Sequence, residues 1–306
     1  MIPGPEGTLS EHRRGAGDPH RFGGDWTSAK LGVLAAYLAA YTTALSRQPF
    51  QRWYIDAFAG SGSRVPASDV VQPGGEEDLF GEPEPRALLD GSARVALKTV
   101  PTFDHFVFIE RSPSRCSELR ALPAEFRLPP RTVEVQQADA NSALEQILRQ
   151  DLSRRRAVLF LDPYGMQVEW RTIEAVANTR AIDLWVLFPL MAVTRVLARS
   201  GDIPDSWRRR VDLMLGTQEW YERIYAVRAE PTLFGVEQQR RRGGAGVIGE
   251  LFHERLRTHF PGVARRPGVL KNSTNSALYL LYFAAANERG AKVGLRIAEH
   301  LLKGVS

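Results

Sequence analysis

The chain has 306 residues, 43% hydrophobic and 25% charged, which is enough for one large domain or two smaller ones with a full core. Its one cysteine, Cys116, excludes an intrachain disulfide framework, and the longest apolar run, Ala277 to Ala286, is too short for the ~20 residues a membrane-crossing helix needs. The formal net charge of +5 is compatible with a polyanionic partner without requiring one, and the absence of a secretory pattern at the N-terminus predicts a cytoplasmic protein with no membrane association.

Residues 1 to about 25 are rich in Gly, Pro and charge and are expected to form a flexible arm, leaving 26 to 306 as one domain. A helix is predicted from Thr27 or Ser28 to about Leu45, with Leu31, Leu34, Leu38, Tyr41 and Leu45 on one face. Lys30, at its start, reads as a solvated helix lysine. From Arg52 to Arg64 the sequence is RWYIDAFAGSGSR. Its first half is a short β-prone run of the kind buried in a parallel sheet, and its second half is a glycine turn that lets a ligand approach the backbone.

Residues 65 to 85 read as a loop insertion, followed by a helix over Arg86 to Leu97 and a strand over Asp104 to Ile109 that ends in Glu110. Ser112-Pro113 has the form of an N-cap and first helical position, opening a helix to about Leu122 in which Cys116 is a packing residue. A third strand is expected over Thr132 to Gln136, then Asp139-Ala140-Asn141 and a helix through Leu144, Ile147 and Leu148. Ala157 to Leu161 is a fourth strand, ended by Asp162-Pro163-Tyr164-Gly165. Trp170 to Thr179 suits a helix, and Ile182 to Phe188 a fifth strand.

Residues 190 to 245 are helical in character and carry Arg208-Arg209-Arg210 and Arg240-Arg241-Arg242, which read equally as phosphate-contacting or as solvated. A helix over Gly246 to Phe260 follows. Val263 to Leu270 and Leu278 to Ala285 are expected to pair as a hairpin through the Asn272 to Asn275 turn, before a last helix over Gly290 to Leu302. Five strand–helix alternations plus a hairpin predict an α/β fold with a seven-stranded, mostly parallel sheet, one strand reversed, and a helical insertion. Ordinary dinucleotide-binding folds have six parallel strands and no such hairpin.

Ligands of open α/β sheets sit at the carboxyl ends of the strands. There, Asp56 beside the Gly60/Gly62 turn can receive an ammonium while backbone amides receive a carboxylate. Glu110 can accept from two ribose hydroxyls, and Asp139 lies within reach of an exocyclic amine on a purine. A nucleoside with an amino-acid tail satisfies all of these, and S-adenosylmethionine is that ligand. The turn departs from G-x-G-x-x-G, no phosphate loop is present, and the six histidines show no metal-ligand spacing, so no metal is assigned. In Asp162-Pro163-Tyr164, proline fixes the backbone, the carboxylate and its carbonyl can accept from an amine, and the tyrosine ring offers a face to a base. Such a turn would hold a nucleobase nitrogen in line with an activated methyl, so that positioning supplies most of the rate.

DAFAGSG followed by DPYG resembles the motifs DxFxGxG and [DNS]-P-P-[YF] of nucleic-acid amino-methyltransferases, and the wording YIDAFAGSG is similar to the J-type ribosomal-RNA adenine-N6 enzymes. The segments KLGVLAAYLAAYTTAL, FQRWYIDAFAGSGSR, FVFIERSPSRCSEL, VLFLDPYGMQVEWRTIEAVANTRAIDLWVLFPL and LYLLYFAAANERGAKV resemble the three-Cys-motif partner protein family, over about residues 26 to 300. The resemblance implies a Rossmann-like class I methyltransferase fold and S-adenosylmethionine binding. Asp56, Phe58, Gly60, Gly62, Glu110, Asp139 and Ala140 would hold the cofactor, while Asp162, Pro163 and Tyr164 would position the target. It also implies association with a radical-SAM protein bearing a three-cysteine motif. This chain has one proline where the amino-methyltransferase motif has two, so Tyr164 stands one position early. Three readings follow: a nucleobase-nitrogen methyltransferase of RNA or DNA, a methyltransferase of a small nucleoside-type metabolite, or a non-catalytic partner that retains the fold.

Overall fold

The computed structural model describes residues 25–62, 91–129, 131–197, 201–227, 239–241 and 244–305. The 65–85 loop, all of the expected arm except Asp25, and the first part of the helix expected over Arg86 to Leu97 lie outside them. Helix α1 (Asp25–Leu45) leads into β1 (Gln51–Asp56), and α2 (Ser92–Leu97) into β2 (His105–Glu110). Then come α3 (Pro113–Glu125), β3 (Val133–Gln137), α4 (Ala140–Leu148), β4 (Arg155–Leu161), α5 (Trp170–Asn178) and β5 (Ile182–Phe188). As expected, Pro113 is the first helical residue behind Ser112, and Cys116 is buried against the Glu110 carbonyl.

β1 to β5 pair in parallel in the order β3-β2-β1-β4-β5, with Asp56 in register with Phe160. The order reverses between β1 and β4, and the crevice above such a switch point is where open α/β sheets bind ligands. Side chains alternate across the pleat. Trp53, Ile55, Leu159 and Leu161 therefore pack under α4, α5 and a later helix, α9 (Ala245–His259). Tyr54, Val158 and Phe160 face the opposite layer, which contains α1 and α10 (Glu288–Leu302). Asp56 shares the parity of Tyr54. Asp162, two residues past Phe160, shares that of its own strand neighbours on the same face.

Between β5 and α9 lie α6 (Leu190–Val196), α7 (Asp205–Leu215) and α8 (Glu219–Ile224). This region is not purely helical: β6 (Tyr225–Val227) and β7 (Gln239–Arg241) pair antiparallel as a separate two-stranded sheet. Arg240 and Arg241 fall in β7, and Arg242 lies outside the described residues.

The expected hairpin closes the main sheet, which has eight strands rather than seven. β10 (Ala277–Ala285) runs antiparallel to β5, as the reversed strand. The single strand expected over Val263 to Leu270 is split into β8 (Gly262–Val263) and β9 (Gly268–Lys271), both paired with β10. Pro267, which has no amide to donate, lies in the gap. The turn before β10 is held by Asn272, whose side-chain oxygen accepts from the Thr274 and Ser276 amides, while Asn275 takes a left-handed φ of 62°. This is the turn chemistry that the sequence suggested. No described helix is long and apolar enough to cross a membrane.

Candidate functional site

The buried face of α1 comprises Trp26, Thr27, Lys30, Leu34, Tyr37, Leu38 and Tyr41, the 3–4 spacing of an amphipathic helix. Lys30 is thus part of the inward stripe and is only 2% exposed. It does not have the solvated character expected of it. Its Nζ donates to Asp162 Oδ2 at 2.7 Å and lies 5.0 Å from the centre of the Trp26 ring. A buried ammonium requires a paired carboxylate, and the end of β4 supplies it.

Asp56 stands beside this pair and is completely enclosed. Its carboxylate accepts from the Tyr54 hydroxyl at 3.2 Å and from the Phe58 amide at 3.2 Å. Burial pushes its pKa up to about 6, and the nearby Asp162 charge adds to this, while hydrogen bonds from Ser92, Phe58 and Tyr54 act the other way. The carboxylate thus faces α1 and the start of α2, and its printed partners all come from the protein.

The glycine turn has two differently employed residues, both with left-handed φ. At Gly60 (φ +62°) an added Cβ would meet nothing within 4 Å, so the backbone is open to an approaching group. At Gly62 (φ +65°) it would come within 2.8 Å of Leu122 Cδ1, so that glycine serves packing against α3. The Gly60 amide donates to Glu110 Oε2 at 3.1 Å, and the Ser112 amide donates to Glu110 Oε1 at 2.8 Å. Glu110 therefore ties the turn to the start of α3. A carboxylate has about four acceptor positions, so two bonds do not exhaust it.

Asp139 is exposed and caps α4, accepting from the Ser142 amide at 3.1 Å, while Ala140 beside it is buried and Phe58 is half-buried. Asn141, which the sequence reading passed over, joins this corner to the segment after β4. Its Nδ2 donates to the Gln167 carbonyl at 2.9 Å, and its Oδ1 accepts from the Glu169 amide and the Thr172 hydroxyl. Pro163 is buried. Tyr164 is 45% exposed, and Gly165 takes a φ of 78° immediately after it. Met214 of α7 shares an apolar lining with Pro163 and Gly165, which places the inserted helices beside the turn.

The structure thus gathers Lys30, Asp56 and Asp162 at one point and Gly60 with Glu110 at the neighbouring one. Asp139 and Tyr164 stand at the periphery. The legible sign of Lys30 was its position within the apolar stripe of α1; Asn141 had no sign beyond its place after Asp139. Among the described residues, no group of three or more His, Cys, Asp or Glu is disposed to hold a metal ion.

No protein-family model matches the chain, and neither does any curated protein sequence. Solved structures do resemble it in shape. Protein LPL1258 of Legionella pneumophila, of the family designated DUF519, is 15% identical over 86% of this chain and 98% of its own, with a TM-score of 0.40. An S-adenosylmethionine-dependent methyltransferase of Clostridium acetobutylicum is 9% identical over 84% of this chain and 92% of its own, with a TM-score of 0.38. The methyltransferase domain of a bacterial Hen1 is 12% identical over 82% and 98%, with a TM-score of 0.33. Likeness at this level does not transfer a cofactor or a reaction to the present chain.

Proposed function

We propose that the chain is an S-adenosylmethionine-dependent methyltransferase acting on a nitrogen of a nucleobase in RNA or DNA. The observation that carries this reading is the Gly60 turn at the topological switch point, open on its outer side and held from behind by Glu110. The residues present fit the cofactor. Gly60 allows backbone contact, and Glu110 retains acceptor capacity for a pair of ribose hydroxyls. Asp139 and Ala140 border the same edge, beside the ends of β2 and β3. The cofactor would supply an electrophilic methyl group. Asp162 and Pro163 would orient the accepting nitrogen, with the exposed Tyr164 ring as a stacking face. The region from 190 to 245 would shape substrate choice, as Met214 already lies against the turn.

Labelled S-adenosylmethionine incubated with total RNA, DNA and small-molecule pools tests this. Label should enter a polynucleotide, and entry only into small molecules would assign the metabolite reading instead. Asp162→Asn should abolish transfer with cofactor affinity nearly retained; undiminished transfer in that variant would remove Asp162 from the mechanism.

One observation favours a second reading. Asp162 Oδ2 already holds an ammonium, that of Lys30. A non-catalytic protein that keeps the fold to partner a radical-SAM three-Cys-motif protein would need no vacant acceptor there. Such a protein should bind that partner and show no label transfer to any pool.

A further inference from the structure

The edge of the sheet opposite the site carries the chain's excess positive charge. Because β1 to β5 are parallel, the helix-to-strand connections 46–50, 98–104, 126–132, 149–154 and 179–181 all emerge on that one edge. Each presents an exposed cation: Arg47, Lys98, Arg127 with Arg131, Arg154, and Arg180. Arg149 adds another, paired with Glu145 one helical turn back. The acids in these connections are Asp104, bonded to Arg52, and Asp151, which accepts from the Ser153 amide. The resulting basic excess is as large as the formal net charge of the whole chain, +5.

Two further features mark the edge as built for its side chains. At its centre is a cleft of about 440 Å³ lined by Pro49, Gln51, Asp151, Arg154 and Arg155. Two guanidinium groups beside it are fixed on aromatic rings, Arg155 at 4.2 Å from the Trp53 centroid and Arg156 at 3.9 Å from that of Phe50. Stacked guanidinium groups keep their N–H edges for anions and lose little entropy on binding. Secondly, Arg127 (φ 51°), Arg131 (φ 69°) and Arg180 (φ 51°) occupy left-handed backbone, where glycine or asparagine is less strained. Among the described residues the only other non-glycine there is Asn275. Turn geometry alone would favour glycine at these positions.

We propose that this edge is a polynucleotide-binding surface that grips backbone phosphates on the side of the sheet away from the transfer site. Strands about 4.8 Å apart make the row from β3 to β5 roughly 20 Å wide. That is the axial run of about six successive phosphates on one strand. The contacts are with phosphate, so they position the substrate without reading its sequence. The inference rests on the reading above only in taking nucleic acid as the substrate class. Its consequence is that a short oligonucleotide confined to the carboxyl edge lacks these contacts.

The test uses the full chain and anisotropy of a labelled RNA hairpin and of the matching DNA duplex over a salt series. The variant is Arg127→Gly, Arg131→Gly, Arg154→Ala and Arg180→Gly together. Its affinity should fall roughly tenfold or more, and the slope of log K against log salt should flatten by about 3, at nearly one unit per phosphate lost. Its melting temperature should be equal or higher, because glycine relieves the left-handed residues. Unchanged affinity and slope would overturn the proposal. So would failure of the wild type to bind either polynucleotide, or equally tight binding to polyglutamate or anionic vesicles. S-adenosylmethionine calorimetry on the same variant separates the two readings. Unaltered cofactor heat with unaltered polynucleotide binding rejects the edge alone. Absent cofactor heat in the wild type with arginine-dependent binding rejects the methyltransferase and leaves the edge.

Discussion

A lysine ammonium at 2% exposure is stable only beside a compensating charge, and Asp162, at 2.7 Å, provides it. Replacing Lys30 by Met would leave the carboxylate without that partner, at a cost of roughly 3 kcal/mol. The double variant Lys30→Met/Asp162→Asn should recover part of that loss; thermal melts of all three close the cycle, and simple additivity would show that the pair is not coupled. Asp56 makes a separate prediction. Its folded pKa, about 6, lies above its ordinary value of 3.8, so the folded state holds the proton more tightly than the unfolded chain. Its contribution to stability therefore falls as pH rises from about 4 to about 6 and stays unfavourable above that. Asp56→Asn should melt higher than wild type at pH 8, with the gap closing toward pH 4. Asp183, bonded to the Tyr37 hydroxyl at 2.6 Å and also pushed up to about 6 by burial, acts in the same direction. The difference between wild type and Asp56→Asn isolates the site. A gap that stayed constant with pH would show that Asp56 does not titrate in this window.

The turn after β1 separates packing from ligand approach within three residues. Gly62→Ala sets a Cβ 2.8 Å from Leu122 on left-handed backbone and should cost about 1–3 kcal/mol of stability. Gly60→Ala pays only the backbone strain, about 1–2 kcal/mol, because its Cβ meets open space, yet that is the space a cofactor would use. Denaturant unfolding and cofactor titration of both variants should dissociate the effects: Gly62→Ala chiefly in stability, Gly60→Ala chiefly in affinity. Identical profiles would mean that the open side of Gly60 faces no ligand. Much of this element was legible, since a β-prone run feeding two glycines specifies strand and turn from local chemistry. The placement of Glu110 and Asp162 at strand ends was legible for the same reason. Lys30 was misjudged because a lysine near a helix start is usually solvated, and only its register with Leu34 and Tyr37 marks it as inward. Asn141 was missed because its partners, Gln167, Glu169 and Thr172, lie 26 to 31 residues away, and periodicity does not report such pairs.

Across the whole molecule, the alternation of strands and helices and the reversed final strand were readable, because each buried strand is a near-continuous apolar run. The split of the edge strand was not read, although Pro267 lies inside it; nor was β6–β7, whose strands are three residues each. The charge distribution became visible only when parallel pairing placed five separate connections on one edge. This architecture puts a cofactor turn at the carboxyl edge, a target turn beside it, and basic residues behind. Its central claim is that S-adenosylmethionine binds at the Gly60 turn in front of Glu110. The direct measurement is isothermal titration of the cofactor into wild type, Gly60→Ala, Glu110→Ala and Asp162→Asn. Binding in the wild type and in Asp162→Asn, with marked weakening in the other two, is the predicted result. No binding heat in the wild type, or equal affinity across all four folded proteins, would contradict it.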